Sequence, residues 1–83
     1  MKISPMQNIR QMVARLNAIH KKYPGIVEAV GSIQGRAGFS DVAAKYACPH
    51  DTVLRVENIL WQVQWHIGRS KTATAAFVRS HRD

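Results

Sequence analysis

His50, Asp51, Leu54, Arg55 and Asn58 sit within one short run of the chain, HDTVLRVEN, and together they carry groups that can read the edges of base pairs. The planar guanidinium of Arg55 can donate twice to guanine, the Leu54 methyls can meet a thymine methyl, and the Asp51 carboxylate can accept from a cytosine amino group. Each has a plainer role beside that one. Asp51 can cap a helix, Arg55 can be solvated or paired with Asp51 four residues earlier, and His50 can be an exposed loop histidine. Other side chains suit phosphate: Ser40 and Thr52 through their hydroxyls, and Lys2, Arg10, Lys45, Arg69 and Lys71 through their charge. Contacts of that kind position a protein on a duplex without reading its sequence.

Catalytic and metal chemistry find little to work with. His20, His50, His66 and His81 are scattered, with no His-Glu-x-x-His or Cys-x-x-Cys pairing. Acids number five, too few to suggest a carboxylate pair. Cys48 is the single cysteine, so an internal disulfide is impossible, and no zinc spacing exists around it. The expectation is a protein that is not an enzyme, holds no metal or cofactor, and works in a reducing cytoplasm. Gly31, Gly35 and Gly38 punctuate GSIQGRAG, but the Lys-Ser/Thr pair and preceding strand of a phosphate-binding loop are missing. That stretch reads as a flexible connection, with a two-stranded wing as the alternative. No secretory signal is visible at the start, and no run approaches the roughly 18 apolar residues of a membrane span.

Charge points to an anionic partner. Twelve lysines and arginines face five acids, for a formal net charge of +7 on 83 residues. The distribution is uneven. Residues 1–23 hold five basic residues and no acid, residues 24–68 hold three against four acids, and residues 69–83 hold four against one. Basic ends around a near-neutral middle suit phosphate clamps better than a basic reading helix.

These residues must be positioned by helices. Ser4-Pro5 reads as an N-cap and first helical residue, and Met6, Ile9, Met12, Val13, Leu16 and Ile19 then form a helical stripe ended by Tyr23-Pro24-Gly25. IVEAVGSI reads as a short helix. Ser40 reads as the N-cap of a helix from Asp41 to about Ala47. After Pro49 comes a longer helix, with Asp51 as a substitute cap. Val53, Val56, Leu60, Val63 and Ile67 form one stripe of it and Leu54, Trp61 and Trp65 a second; Gly68 ends it. Ser70 caps a last helix from Lys71 to about His81, with Ala73, Ala76 and Phe77 on one side. The expected fold is all-α: one domain over residues 1–83, a small bundle of about five helices with basic N- and C-terminal segments.

The connection between the third and fourth helices is the most specific feature. Only Cys48-Pro49-His50 separates DVAAKYA from DTVLRVEN. A small residue, Ala43, lets the second helix lie close across the first. Val42 and Tyr46 flank it, and Val53 and Val56 point back inward. Residues 41–58 resemble the helix-turn-helix of the lactose-repressor family, whose first helix begins D-V-A and whose second reads T-V-S-R-V followed by Asn. Here Asp41-Val42-Ala43, Thr52-Val53, Arg55-Val56 and Asn58 stand at the same separations. The chain has no room for that family's hinge and sugar-binding domain, so small phage and plasmid helix-turn-helix regulators are the better comparison. Two positions depart from the pattern: Ala47 stands where glycine usually takes a left-handed conformation, and Pro49 where Ser or Thr usually caps the second helix.

The resemblance implies a DNA-binding transcription regulator, acting as a repressor that occupies an operator as a homodimer on double-stranded DNA. Its second helix would enter the major groove. The Leu54, Trp61 and Trp65 stripe needs a cover, either the N-terminal helix or a second copy, so Trp61 and Trp65 are expected at a dimer interface or else in the core. With no effector domain, no small-molecule effector is expected. The alternative function is a protein-interaction module, such as a phage-type inhibitor that blocks a nucleic-acid-handling machine.

Overall fold

The computed structural model describes residues 5–82. Five helices follow one another: α1 (Pro5–Lys22), α2 (Ile26–Gly31), α3 (Ala37–Tyr46), α4 (His50–Ile67) and α5 (Lys71–Ser80). The chain is all-α as expected, and no strand occurs among the described residues, which removes the two-stranded wing.

α1 opens on Pro5, where a missing amide hydrogen costs nothing, and ends with His20, Lys21 and Lys22 in its last turn, the signs its C-terminal dipole favours. Met12, Val13 and Leu16 of its stripe are buried, with Ile9 and Ile19 packed at the edge. Ser4, the expected cap, and the Met6 side chain lie outside the described residues. Gly25, at a φ of 94°, turns the chain into α2, and its amide donates to His20 Nδ1 at 3.1 Å. α2 is too short to stand alone. It survives by burying Ile26, Val27, Val30 and Gly31. Gly31 is there for space, because a Cβ on it would lie 2.7 Å from the Ala75 Cβ.

α3 corrects the sequence reading. It starts at Ala37, not Asp41, and Ser40 lies inside it rather than capping it. Gly38, read as part of a loop, is helical because its bare Cα lets Ile33 pack against it; a Cβ would meet Ile33 Cγ2 at 2.8 Å. The helix ends in Ala47, at φ 50° and ψ 45°, the left-handed conformation that position demanded. Cys48 N–H donates to the Ala43 carbonyl at 3.1 Å and Ala47 N–H to that of Ala44 at 3.3 Å, the bond pair of a Schellman motif.

α4 is the axis of the bundle and packs against all four other helices. It begins at His50 after extended Pro49, with no side-chain cap, so Asp51 is not the cap expected of it but an acid in the first turn. Val53, Val56, Leu60 and Val63 are fully buried, joined by Ile59, which the two-stripe reading left out. Gly68, at φ 65°, closes the helix. In α5 Ser70 Oγ accepts from Ala73 N–H at 3.1 Å, the expected cap. The buried residues of α5 are Thr74, Ala75 and Val78; of the expected side, Phe77 packs at the edge of the core and Ala76 is exposed. Thr74 can be buried because its hydroxyl donates to the Ser70 carbonyl at 2.8 Å.

Candidate nucleic-acid interface

The start of α4 divides its side chains between core and solvent. Val53 and Val56 are fully buried, while His50, Asp51, Leu54, Arg55 and Asn58 are all exposed. At about 3.6 residues per turn, Asp51, Leu54, Arg55 and Asn58 share one outward face. The buried valines hold that face against rotation, so the five residues proposed to read bases are presented together.

Arg55 and Asp51 do not pair. The ion pairs among the described residues are Lys71–Glu57, at 2.7 Å, and Arg82–Glu28. Arg55 therefore keeps all its donors available. His50 is drawn toward α3, with its Nε2 3.3 Å from Ser40 Oγ. That contact joins a residue expected at base edges to one expected at phosphate, on the two sides of the turn.

The phosphate candidates are more dispersed. Ser40 and Lys45 are exposed on α3, with Lys45 Nζ 5.6 Å from the centre of the Tyr46 ring. Thr52 is half-buried at the start of α4, and its amide donates to the Pro49 carbonyl at 3.0 Å. Ser40 stands beside the reading face through its contact with His50, and Lys45 and Thr52 flank the turn. Arg69 is exposed between α4 and α5, and Arg10 is exposed on α1. Lys71 is occupied within the fold, since its ammonium pairs with Glu57 and lies 5.9 Å from the centre of the Phe39 ring. Lys2 lies outside the described residues.

The tryptophans are not core. Trp61 is 58% exposed and Trp65 79%, and Leu54 is half exposed. α1 packs on α4 without covering them. Leu54, Asn58, Trp61 and Trp65 recur at steps of four, three and four, so they form an apolar flank interrupted by one amide. A shallow depression of about 350 Å³ lies between Trp61, Gln64, Trp65, Gly68 and Arg69.

One structural residue escaped the sequence reading. Arg82 donates from Nε to Asn17 Oδ1 at 2.9 Å and pairs with Glu28, so the end of the chain is bound to α1 and α2. Nothing local signals a contact of that sequence separation. With Lys71, two of the four basic charges of the C-terminal segment are thus spent inside the fold. Among the described residues no helix is long and apolar enough to cross a membrane. No family model, curated protein or solved structure matches the chain.

Proposed function

We propose that the chain is a small sequence-specific DNA-binding regulator that acts as a homodimer, with α3 and α4 as its helix-turn-helix. The observation that carries this reading is the start of α4: a helix pinned by buried Val53 and Val56 that presents unpaired Arg55 with Asp51, Leu54 and Asn58 to solvent. A reading helix needs a free outer face and a rigid inner one, and the tight turn through Ala47 supplies the rigidity. The net charge of +7 supplies the attraction to phosphate. In this reading Arg55 and Asn58 meet base edges, Ser40, Lys45 and Thr52 meet phosphate beside the turn, and Arg10 and Arg69 add charge at a distance. Occupying an operator would make the protein a repressor.

The apolar flank of α4 supports a dimer. Trp61 and Trp65 together leave roughly 300 Å² of aromatic surface open, a fair part of the ~800 Å² per partner of a standard interface. Arg55 precedes Trp65 by ten positions, or about 15 Å of helix. A twofold axis beside Trp65, with the ends of the two α4 helices meeting, would set the two Arg55 side chains about 30 Å apart. Successive major-groove sites on one face of a duplex are about 34 Å apart.

Selection of bound fragments from random duplex DNA tests this reading. The expected product is a twofold-symmetric site with half-sites about one helical turn apart, bound with a steep loss of affinity as salt rises. Binding to no duplex at low salt would turn the reading over to the alternative, an interaction module that blocks a nucleic-acid-handling machine, in which Trp61 and Trp65 would be its contact surface.

A further inference from the structure

A second concave surface lies away from α4. It is a groove of about 900 Å³ between α1 and the end of α5. Its apolar lining comes from Ile9, Val13, Ala14, Ala18 and Phe77. Arg10 and Lys21 bring free positive charge to it, the Arg82 charge being paired with Glu28, and neither an aspartate nor a glutamate lines it. None of these residues belongs to α4, and none of the base-reading residues enters the groove.

We propose that this groove binds an apolar organic acid: a small molecule with an aromatic or aliphatic body and one carboxylate. Three features fix the class. The volume falls in the range of small-molecule sites, about 300–1,000 Å³, and is mostly apolar with a few polar groups, as such sites are. The charged groups are all of one sign, so the polar end of the ligand is an anion. The body lies against small side chains, because Ala14 and Ala18, one turn apart on α1, line the groove. Arg10 and Lys21 are exposed and outside both ion pairs, and so are available to a carboxylate. His20 accepts the Gly25 amide hydrogen at Nδ1, which leaves Nε2–H as a further donor. Because the groove joins α1 to the last turn of α5, a ligand there would bridge two helices that otherwise meet through few residues. Such a bridge would give the fold a place to receive a small-molecule signal. The proposal stands apart from DNA binding and survives its failure.

An amide-resolved NMR titration of the full chain tests it, with naphthaleneacetate and decanoate as the two acids and naphthaleneacetamide as the neutral control. One or both acids should shift Asn17, Ala18, Phe77 and His81 and saturate at about 1 mM or below. Which acid binds tighter identifies the body as aromatic or aliphatic. Arg10 and Lys21 stand about 16 Å apart along α1, so one of Arg10→Gln and Lys21→Gln should weaken the acid about two- to fivefold and leave the amide unchanged. Ala18→Phe, on the exposed side of α1, should fill the groove and abolish the saturable shifts. The proposal is overturned by any of four results: no saturable shift with either acid, equal binding of acid and amide, shifts confined to Trp61 and Trp65, or full binding by Ala18→Phe. Shifts of the groove residues with protein concentration alone would assign it to a second copy and overturn it too.

Discussion

The Arg82 guanidinium pairs with the Glu28 carboxylate and so ties the end of the chain to its shortest helix. Burial pushes the Glu28 carboxyl up, but its hydrogen bond from Arg82, its own backbone amide and the positive charges of Arg82 and His20 outweigh that and hold it below the usual carboxylate range. A carboxyl depressed in the folded state contributes stability above its unfolded pKa of about 4.3 and loses it as pH falls through the folded value. Thermal melts taken from about pH 6 down to about pH 3 should therefore show a falling midpoint. Glu28→Gln should flatten part of that slope and cost about 0.5–1 kcal/mol at neutral pH, the modest figure suiting a partly exposed pair. An unchanged acid slope in Glu28→Gln would remove this linkage.

Arg55→Ala should erase sequence preference and leave most non-specific affinity. The loss of a bidentate base contact costs about 1–3 kcal/mol at one base pair. Arg69→Ala should do the reverse, weakening all duplexes alike and lowering the salt slope by about one contact. Binding of each variant to a selected site and to a scrambled duplex, across salt, separates the two roles. Equal weakening of both duplexes by Arg55→Ala would make Arg55 a phosphate contact. No weakening at all, with the fold intact, would take α4 out of the reading.

Trp65→Gln should shift a dimer toward monomer without lowering the stability of the monomer, since Trp65 is 79% exposed. Truncating a central aromatic anchor costs about 2 kcal/mol or more, roughly 30-fold in the dissociation constant. Sedimentation equilibrium on both chains measures it. A wild-type chain that stays monomeric at micromolar concentration would remove the dimer.

Ala47→Gly should raise stability. The left-handed conformation at Ala47 costs a non-glycine residue about 1–2 kcal/mol, whereas glycine there costs about 0.4–1 kcal/mol through the freedom of the unfolded chain. The balance is a gain of up to about 1.5 kcal/mol, visible as a higher urea midpoint at unchanged slope. A lower midpoint would mean that the alanine methyl makes a contact worth more than the strain.

Elements with a local cause were legible in the sequence. Pro5 at the start of α1, Ser70 before α5 and the buried stripe of α4 all follow from signals within one or two turns. The left-handed Ala47 was legible as a departure from a pattern. What escaped was set by distant packing. Gly31 and Gly38 look like loop residues, but their bare Cα atoms admit Ala75 and Ile33, so both are helical. Thr74 looks like a surface residue until its hydroxyl finds the Ser70 carbonyl. The outward set at the start of α4 came through intact because alternation with Val53 and Val56 is itself local. The groove between α1 and α5 had no such signal, since its two walls come from opposite ends of the chain.

The placement of the tryptophans has an optical consequence. The chain's two tryptophans, Trp61 and Trp65, both stand in water on the outside of α4, and neither belongs to the core. Their indoles already have a solvent environment in the folded monomer, so emission near the red limit is expected before any denaturant is added. Unfolding should therefore move that emission little. Anything that covers the flank, a second copy or another macromolecule, should shift the emission to the blue or quench it. The protein thus carries its own dye, attached to the one face whose occupant matters most.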